Sequence, residues 1–246
     1  IAAFAPVAEK WVAKEVTLPE LSMPEAASKP QLYFVDMPGA KQSEIRIGYL
    51  ALPYTHPDYH AATVMNYKLG GSFNGNLNLI LREEKGYTYG ARSNFNGSIY
   101  AGPFVASSAV RTNVTLESMQ IFKDEIAKYR EGISDEDLEF TKSALVQSNA
   151  RRFETLGALR GMLNNIAEYD LPFDYIKQEE KTIMEMTEEQ HRALAQQYLD
   201  PNKMIYLVVG DAATQLARLS QLGLGKPVML DADGNPVKKG ESVSAR

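Results

Sequence analysis

Gly70–Ala91 reads GGSFNGNLNLILREEKGYTYGA. Gly70 and Gly71 stop one helix, because glycine opens the backbone where helical order ends. Asn76–Lys85 then supports a second helix with Leu77, Ile80 and Leu81 inward. Gly86 ends it, and a strand starts at Tyr87. Arg82 falls in the last helical turn. Tyr87 and Tyr89 share one face of the strand, since side chains alternate there. Arg82 and Tyr89, seven positions apart, can therefore converge on one spot. A fixed charge and a neutral hydroxyl donor together suit an anionic or carbonyl oxygen. On pattern alone, a solvated helix end and an ordinary strand tyrosine is the better reading.

Upstream, Gln31–Asp36 and Ser43–Leu52 read as strands around a Met37-Pro38-Gly39 turn. Ile45, Ile47 and Tyr49 alternate with Glu44, Arg46 and Gly48, the period of a half-buried strand. A helix is expected from Pro57, with Ala61, Val64, Met65 and Leu69 as its apolar stripe. Tyr87–Asn96 and Ile99–Val110 form a hairpin around Asn96-Gly97-Ser98.

The second half is mostly helical. Leu116 to Tyr129 carries helical spacing, and Ser134 with Asp137 resembles a capping box. Helices are expected over Leu156–Tyr169 and Tyr175–Met186, with a further cap at Thr187 and Gln190. Lys203–Val209 is a strand, Leu216 and Leu219 belong to a helix, and Val228–Leu230 is a short strand before a turn. The class is α+β, an antiparallel sheet with helices packed on one side. Residues 1–30 carry Pro6, Pro19, Pro24 and Pro30 and read as a linker or tail from a preceding domain. One domain then spans 31–246.

Composition removes whole classes of function. The chain has 246 residues, no cysteine and three histidines, so thiol chemistry and Cys-type metal sites are excluded. A net charge of −5 argues against a nucleic-acid partner. No apolar run is long enough for a membrane span. His56 and His60 form an H-x-x-x-H pair, but Pro57 puts His56 at the helix cap, so a cap plus a surface histidine is preferred to a metal site. His191, in a polar helix start, reads as surface. Asp231, Asp233 and Asn235 read as a turn rather than a calcium loop. Gly70-Gly71 matches no phosphate-binding motif. Ser72, Thr88 and Ser93 have no nearby histidine base in sequence.

The run Gly70-Gly71-Ser72-Phe73, Leu77-Asn78 and LREEKGYTYGA resembles the signature of the pitrilysin/insulinase-type zinc metallopeptidases, the inverted zincins, including mitochondrial processing peptidase subunits. Arg152-Phe153-Glu154-Thr155, taken as inside a long helix, agrees with it. So does Thr187–Asp211. No H-x-x-E-H occurs. The resemblance therefore implies the second, zinc-free, C-terminal-type domain, which is inactive alone. It implies zinc in a partner domain or subunit bearing H-x-x-E-H, and none in this chain. It also implies that Arg82 and Tyr89 bind peptide substrate in a clamshell chamber, with the peptide held extended by strand addition to a sheet edge. A catalytically silent assembly protein of the same fold is the alternative. The location it implies is the periplasm or cell envelope, with the cytoplasm as second choice.

Overall fold

The alternation in Gln42–Leu50 sets the layering. Ser43, Ile45 and Ile47 are buried while Gln42 and Arg46 face solvent. The computed structural model describes residues 2–12, 14–17, 21–22, 24–25 and 27–237. Pro19 of the proline-rich segment and residues 238–246 of the main span lie outside the described residues.

Among the described residues, six strands form one sheet: β1 Gln31–Asp36, β2 Gln42–Leu50, β3 Thr88–Phe95, β4 Pro103–Arg111, β5 Ile205–Gly210 and β6 Val228–Leu230. Their order is β3-β4-β2-β5-β1-β6. The α+β class holds, with one correction to the sheet. β3, β4, β2 and β5 pair antiparallel, but β1 runs parallel to both β5 and β6. The Met37–Gly39 turn does not close a hairpin, because β5 inserts between β1 and β2. The β3–β4 hairpin is present, and its second strand begins at Pro103, after a wide loop.

The helices are α1 Ala5–Lys10, α2 Tyr59–Asn66, α3 Asn76–Asn78, α4 Thr115–Tyr129, α5 Asp135–Ala150, α6 Leu156–Tyr169, α7 Tyr175–Glu185, α8 Glu188–Tyr198 and α9 Ala212–Gln215. α2 runs into a wide π turn at Tyr67–Gly71, and α3 into another at Leu79–Glu84. Phe34, Ile45, Ile47, Leu81, Phe104 and Phe122 are fully buried in one core between the sheet and the helices. A smaller cluster of Val64, Leu138, Ile183 and Met186 joins α2, α5 and α7.

Local capping follows the sequence. Thr187 and Gln190 complete a reciprocal capping box at α8. Ser134 caps α5 through the Asp137 N–H at 3.2 Å, while the Asp137 carboxylate pairs with Lys68 at 2.8 Å. Arg152–Thr155 is not inside a long helix as expected: Arg151–Phe153 is a short 3-10 turn. It forms the break between α5 and α6, where the Thr155 hydroxyl accepts the Ala158 N–H at 3.1 Å. Asp231–Asn235 is a tight turn with Gly234 at φ 86°, and the Asp231 carboxylate accepts the N–H groups of Asp233 and Asn235.

Among the described residues, no helix is long and apolar enough to cross a membrane.

Candidate functional site

Both π turns flank one surface. Each widens the helix by a residue per turn, a feature common beside functional sites. The first delivers Gly70 against β3. A Cβ on Gly70 would lie 2.6 Å from the Ser93 nitrogen, so the backbones touch only because the residue is glycine. The second ends with the Lys85 N–H on the Ile80 carbonyl at 2.9 Å and the Gly86 N–H on the Arg82 carbonyl at 3.1 Å. Gly86 sits at φ 62° and turns the chain into β3.

Arg82 projects from that second turn. Its guanidinium carbon lies 4.5 Å from the centre of the Phe73 ring, a cation–π stack, and its Nε is 3.4 Å from Glu83. Phe73 itself is well exposed. Phe73 and Tyr89 both line a groove of about 670 Å³, which also contains Gly71, Ser72, Asn78 and Arg92. Arg82 does not itself line this groove; it stacks on Phe73, which does.

Tyr89 is 91% exposed. Strict alternation would place it with Ala91, Ser93 and Phe95, which are buried. A β-bulge changes that: three residue steps from Thr88 to Ala91 oppose two from Val110 to Ser108. The extra residue turns the Tyr89 side chain outward, as bulges do. The Thr88 hydroxyl accepts the Gly90 N–H at 3.1 Å and donates to the Ala109 carbonyl at 2.7 Å. Ser108 Oγ lies 2.9 Å from both Thr88 Oγ1 and the Gly90 carbonyl. A hydroxyl pair thus fixes the base of the bulge while the phenol stays free.

β3 is an edge strand, and helix side chains bond part of its outer side. The Ala91 N–H goes to Asn78 Oδ1 at 3.0 Å. The Ser93 carbonyl accepts from Asn66 Nδ2 at 2.8 Å. The Phe95 carbonyl accepts from the Tyr59 hydroxyl at 3.0 Å. At the other edge, the Met229 carbonyl of β6 accepts the Val237 N–H at 2.9 Å. Helix side chains thus hold three outer backbone groups between Ala91 and Phe95, which an added strand of the expected kind would have to displace. Sequence reasoning missed Asn66, and it picked out Phe73 and Asn78 only as part of the family signature, without a structural role. The signal for Asn66 was its place at a helix end, which Asn78 shares.

The histidines do not form a zinc site. His56 Nδ1 accepts the Asp58 N–H at 3.1 Å, ahead of α2. His60 Nε2 lies 3.1 Å from the Glu179 carbonyl and its Nδ1 3.8 Å from the Glu179 carboxylate. Burial lowers the pKa of His60, opposed by the charge of Glu179. Among the described residues, no three His, Asp or Glu come together.

His191 is not a surface residue, as its polar neighbours suggested. It is 1% exposed, with Nε2 3.2 Å from both the Tyr129 hydroxyl and the Met65 carbonyl. The Tyr129 hydroxyl donates to that same carbonyl at 2.7 Å. The ring proton thus belongs on Nε2. Burial pushes the imidazole down to about 4.

Comparison with known proteins agrees with this architecture. The family profile described as the peptidase M16 inactive domain matches residues 8–145. The chain is similar to the peptidase M16 inactive domain of Pseudomonas fluorescens, at 26% identity and TM-score 0.73, over 80% of this chain and 47% of that one. It shares the fold of a protease from Helicobacter pylori, at 15% identity and TM-score 0.73, over 81% and 48% of the two chains. It also shares the fold of a chain of complex III2 from Candida albicans, at 11% identity and TM-score 0.63, over 84% and 53%. The chain spans about half the length of these structures. No curated protein matches it. With the profile covering more than half of its residues, the chain belongs to the M16 peptidase family, as an inactive domain.

Proposed function

We propose that this chain is the substrate-binding, non-catalytic half of a zinc metalloendopeptidase. In this reading it encloses peptide against a catalytic, H-x-x-E-H-bearing domain or subunit that holds the zinc, and it contributes Arg82 and Tyr89 to the shared chamber. The observation that carries it is the groove lined by Tyr89 and Phe73: Tyr89 stands exposed on its bulge, and Arg82 stacks on Phe73. A fixed cation and a neutral donor beside one groove suit a peptide carbonyl as charge develops on its oxygen. Tyr89 donates through its hydroxyl, and Arg82 offers the N–H groups its stack leaves free. With helix side chains already bonded to part of the Ala91–Phe95 edge, side chains rather than sheet pairing grip the peptide on this half in this reading.

Residues 1–30 are, in the same reading, the connection from the catalytic half, and the location is the periplasm or cell envelope. Cell fractionation checks the location. Reconstitution tests the function: the isolated chain is inactive, and mixing it with the H-x-x-E-H half restores peptide cleavage. The alternative is a silent assembly protein, favoured by the fold shared with the complex III2 chain. A mixture that assembles stably and cleaves nothing selects that alternative.

A further inference from the structure

We infer that Asn78 is a positioning residue for Arg82 and Tyr89, an inference that rests on the role proposed above for that pair. Asn78 is 2% exposed and lies at the end of α3. Its Nδ2 donates to the Phe73 carbonyl at 2.8 Å, and its Oδ1 accepts the Ala91 N–H at 3.0 Å. Only one orientation of the amide gives a donor to the carbonyl and an acceptor to the N–H, so the partners fix its sense. One side chain therefore ties the loop whose ring supports Arg82 to the strand two residues beyond Tyr89.

The site needs such a tie. An exposed phenol has few neighbours to aim it, so backbone placement must. Thr88 and Ser108 hold the bulge on one flank of Tyr89, and Asn78 holds the other flank. Asn78 alone also reaches the loop under Arg82. A shift of about 1 Å in such a constellation costs on the order of 100-fold in rate.

Asn66 provides an internal control. It is equally buried, and it bonds the same strand edge: its Nδ2 donates to the Ser93 carbonyl at 2.8 Å and its Oδ1 accepts from the Ser93 hydroxyl at 2.6 Å. It bonds neither to Phe73 nor to a residue flanking Tyr89. Asn78→Asp keeps the acceptor for Ala91 but loses the donor to Phe73. Asn66→Asp loses the equivalent donor to Ser93.

The test uses the full chain assembled with its H-x-x-E-H half. The expected result is that Asn78→Asp lowers kcat about 10- to 100-fold with KM nearly unchanged, while Asn66→Asp lowers it less than about threefold. In an Arg82→Ala background, Asn78→Asp should cost less than about threefold more, because the tie it loses, to Phe73, acts through Arg82, while the tie to Ala91 beside Tyr89 is kept. Equal kcat losses for the two asparagines, or the same loss with and without Arg82, would overturn the inference. If the aspartate variants do not fold, Asn78→Ser and Asn66→Ser replace them, read by NMR of the Arg82 Nε–H. Asn78→Ser moves that signal away from its ring-shifted position over Phe73 and Asn66→Ser does not; two unmoved signals would overturn the inference. If Arg82→Ala and Tyr89→Phe themselves keep full activity, the proposed role of the pair has failed, and the NMR comparison alone decides whether Asn78 places Arg82.

Discussion

Helices α2 and α6 both carry apolar residues at helical spacing, but they use them differently. α2 and its π turn bury Ala62, Val64, Met65 and Leu69 against the sheet and neighbouring helices. α6 buries no residue fully, and Leu156, Leu159 and Leu163 face outward with Phe153 and Phe173 nearby in sequence. The layer beneath the groove is fixed by packing, by the asparagine ties and by a close glycine contact. The α5–α7 layer buries Leu138, Thr141, Tyr175, Ile176, Ile183 and Met186, none of them on α6. Regions with few buried apolar contacts open at lower free energy than core strands. The groove therefore sits on the rigid part of the molecule.

Substitutions sharpen this contrast. The largest effect is expected in the core: Phe34→Ala, at a fully buried site, costs about 3–5 kcal/mol in a urea titration. Acid titration of stability comes next. The fold holds His191 neutral down to about 4, so the unfolded chain, near 6.5, takes up the proton first. The stability from this site is complete above about pH 6.5 and is lost as pH falls toward 4, an effect of up to about 3 kcal/mol. His60 adds in the same direction. His191→Gln should flatten the pH dependence over that window. Gly70→Ala, which drives a Cβ onto the Ser93 backbone, costs about 1–3 kcal/mol. The smallest effect belongs to α6: Leu163→Ala changes stability by less than about 0.5 kcal/mol. A Leu163→Ala loss as large as that of Phe34→Ala would erase the distinction between the two layers.

Local signals in the sequence carried far. The Thr187–Gln190 box, the Leu156–Tyr169 helix and the Val228–Leu230 strand stand where spacing put them. Local pattern could not show β5 slipping between β1 and β2, because strand order depends on a segment over 150 residues away. Nor could it show the π turns, since the inward placement of Leu77 and Leu81 survives a widened turn. The bulge explains why a tyrosine in register with buried Ala91 and Ser93 faces solvent. His191 was legible in part. It shares a helical stripe with buried Ala195 and Tyr198, but its charged neighbours hid the stripe. The side-chain ties of Asn66 and Asn78 need three-dimensional contact to be seen.

The most direct test of the central claim is the turnover of the assembled peptidase carrying Tyr89→Phe or Arg82→Ala. Removing one donor aimed at the developing oxyanion should lower kcat about 100- to 1,000-fold in each variant, with KM within about threefold of wild type and assembly intact. Unchanged kcat in both variants, at full assembly, would contradict the claim that this half supplies Arg82 and Tyr89 to the reaction.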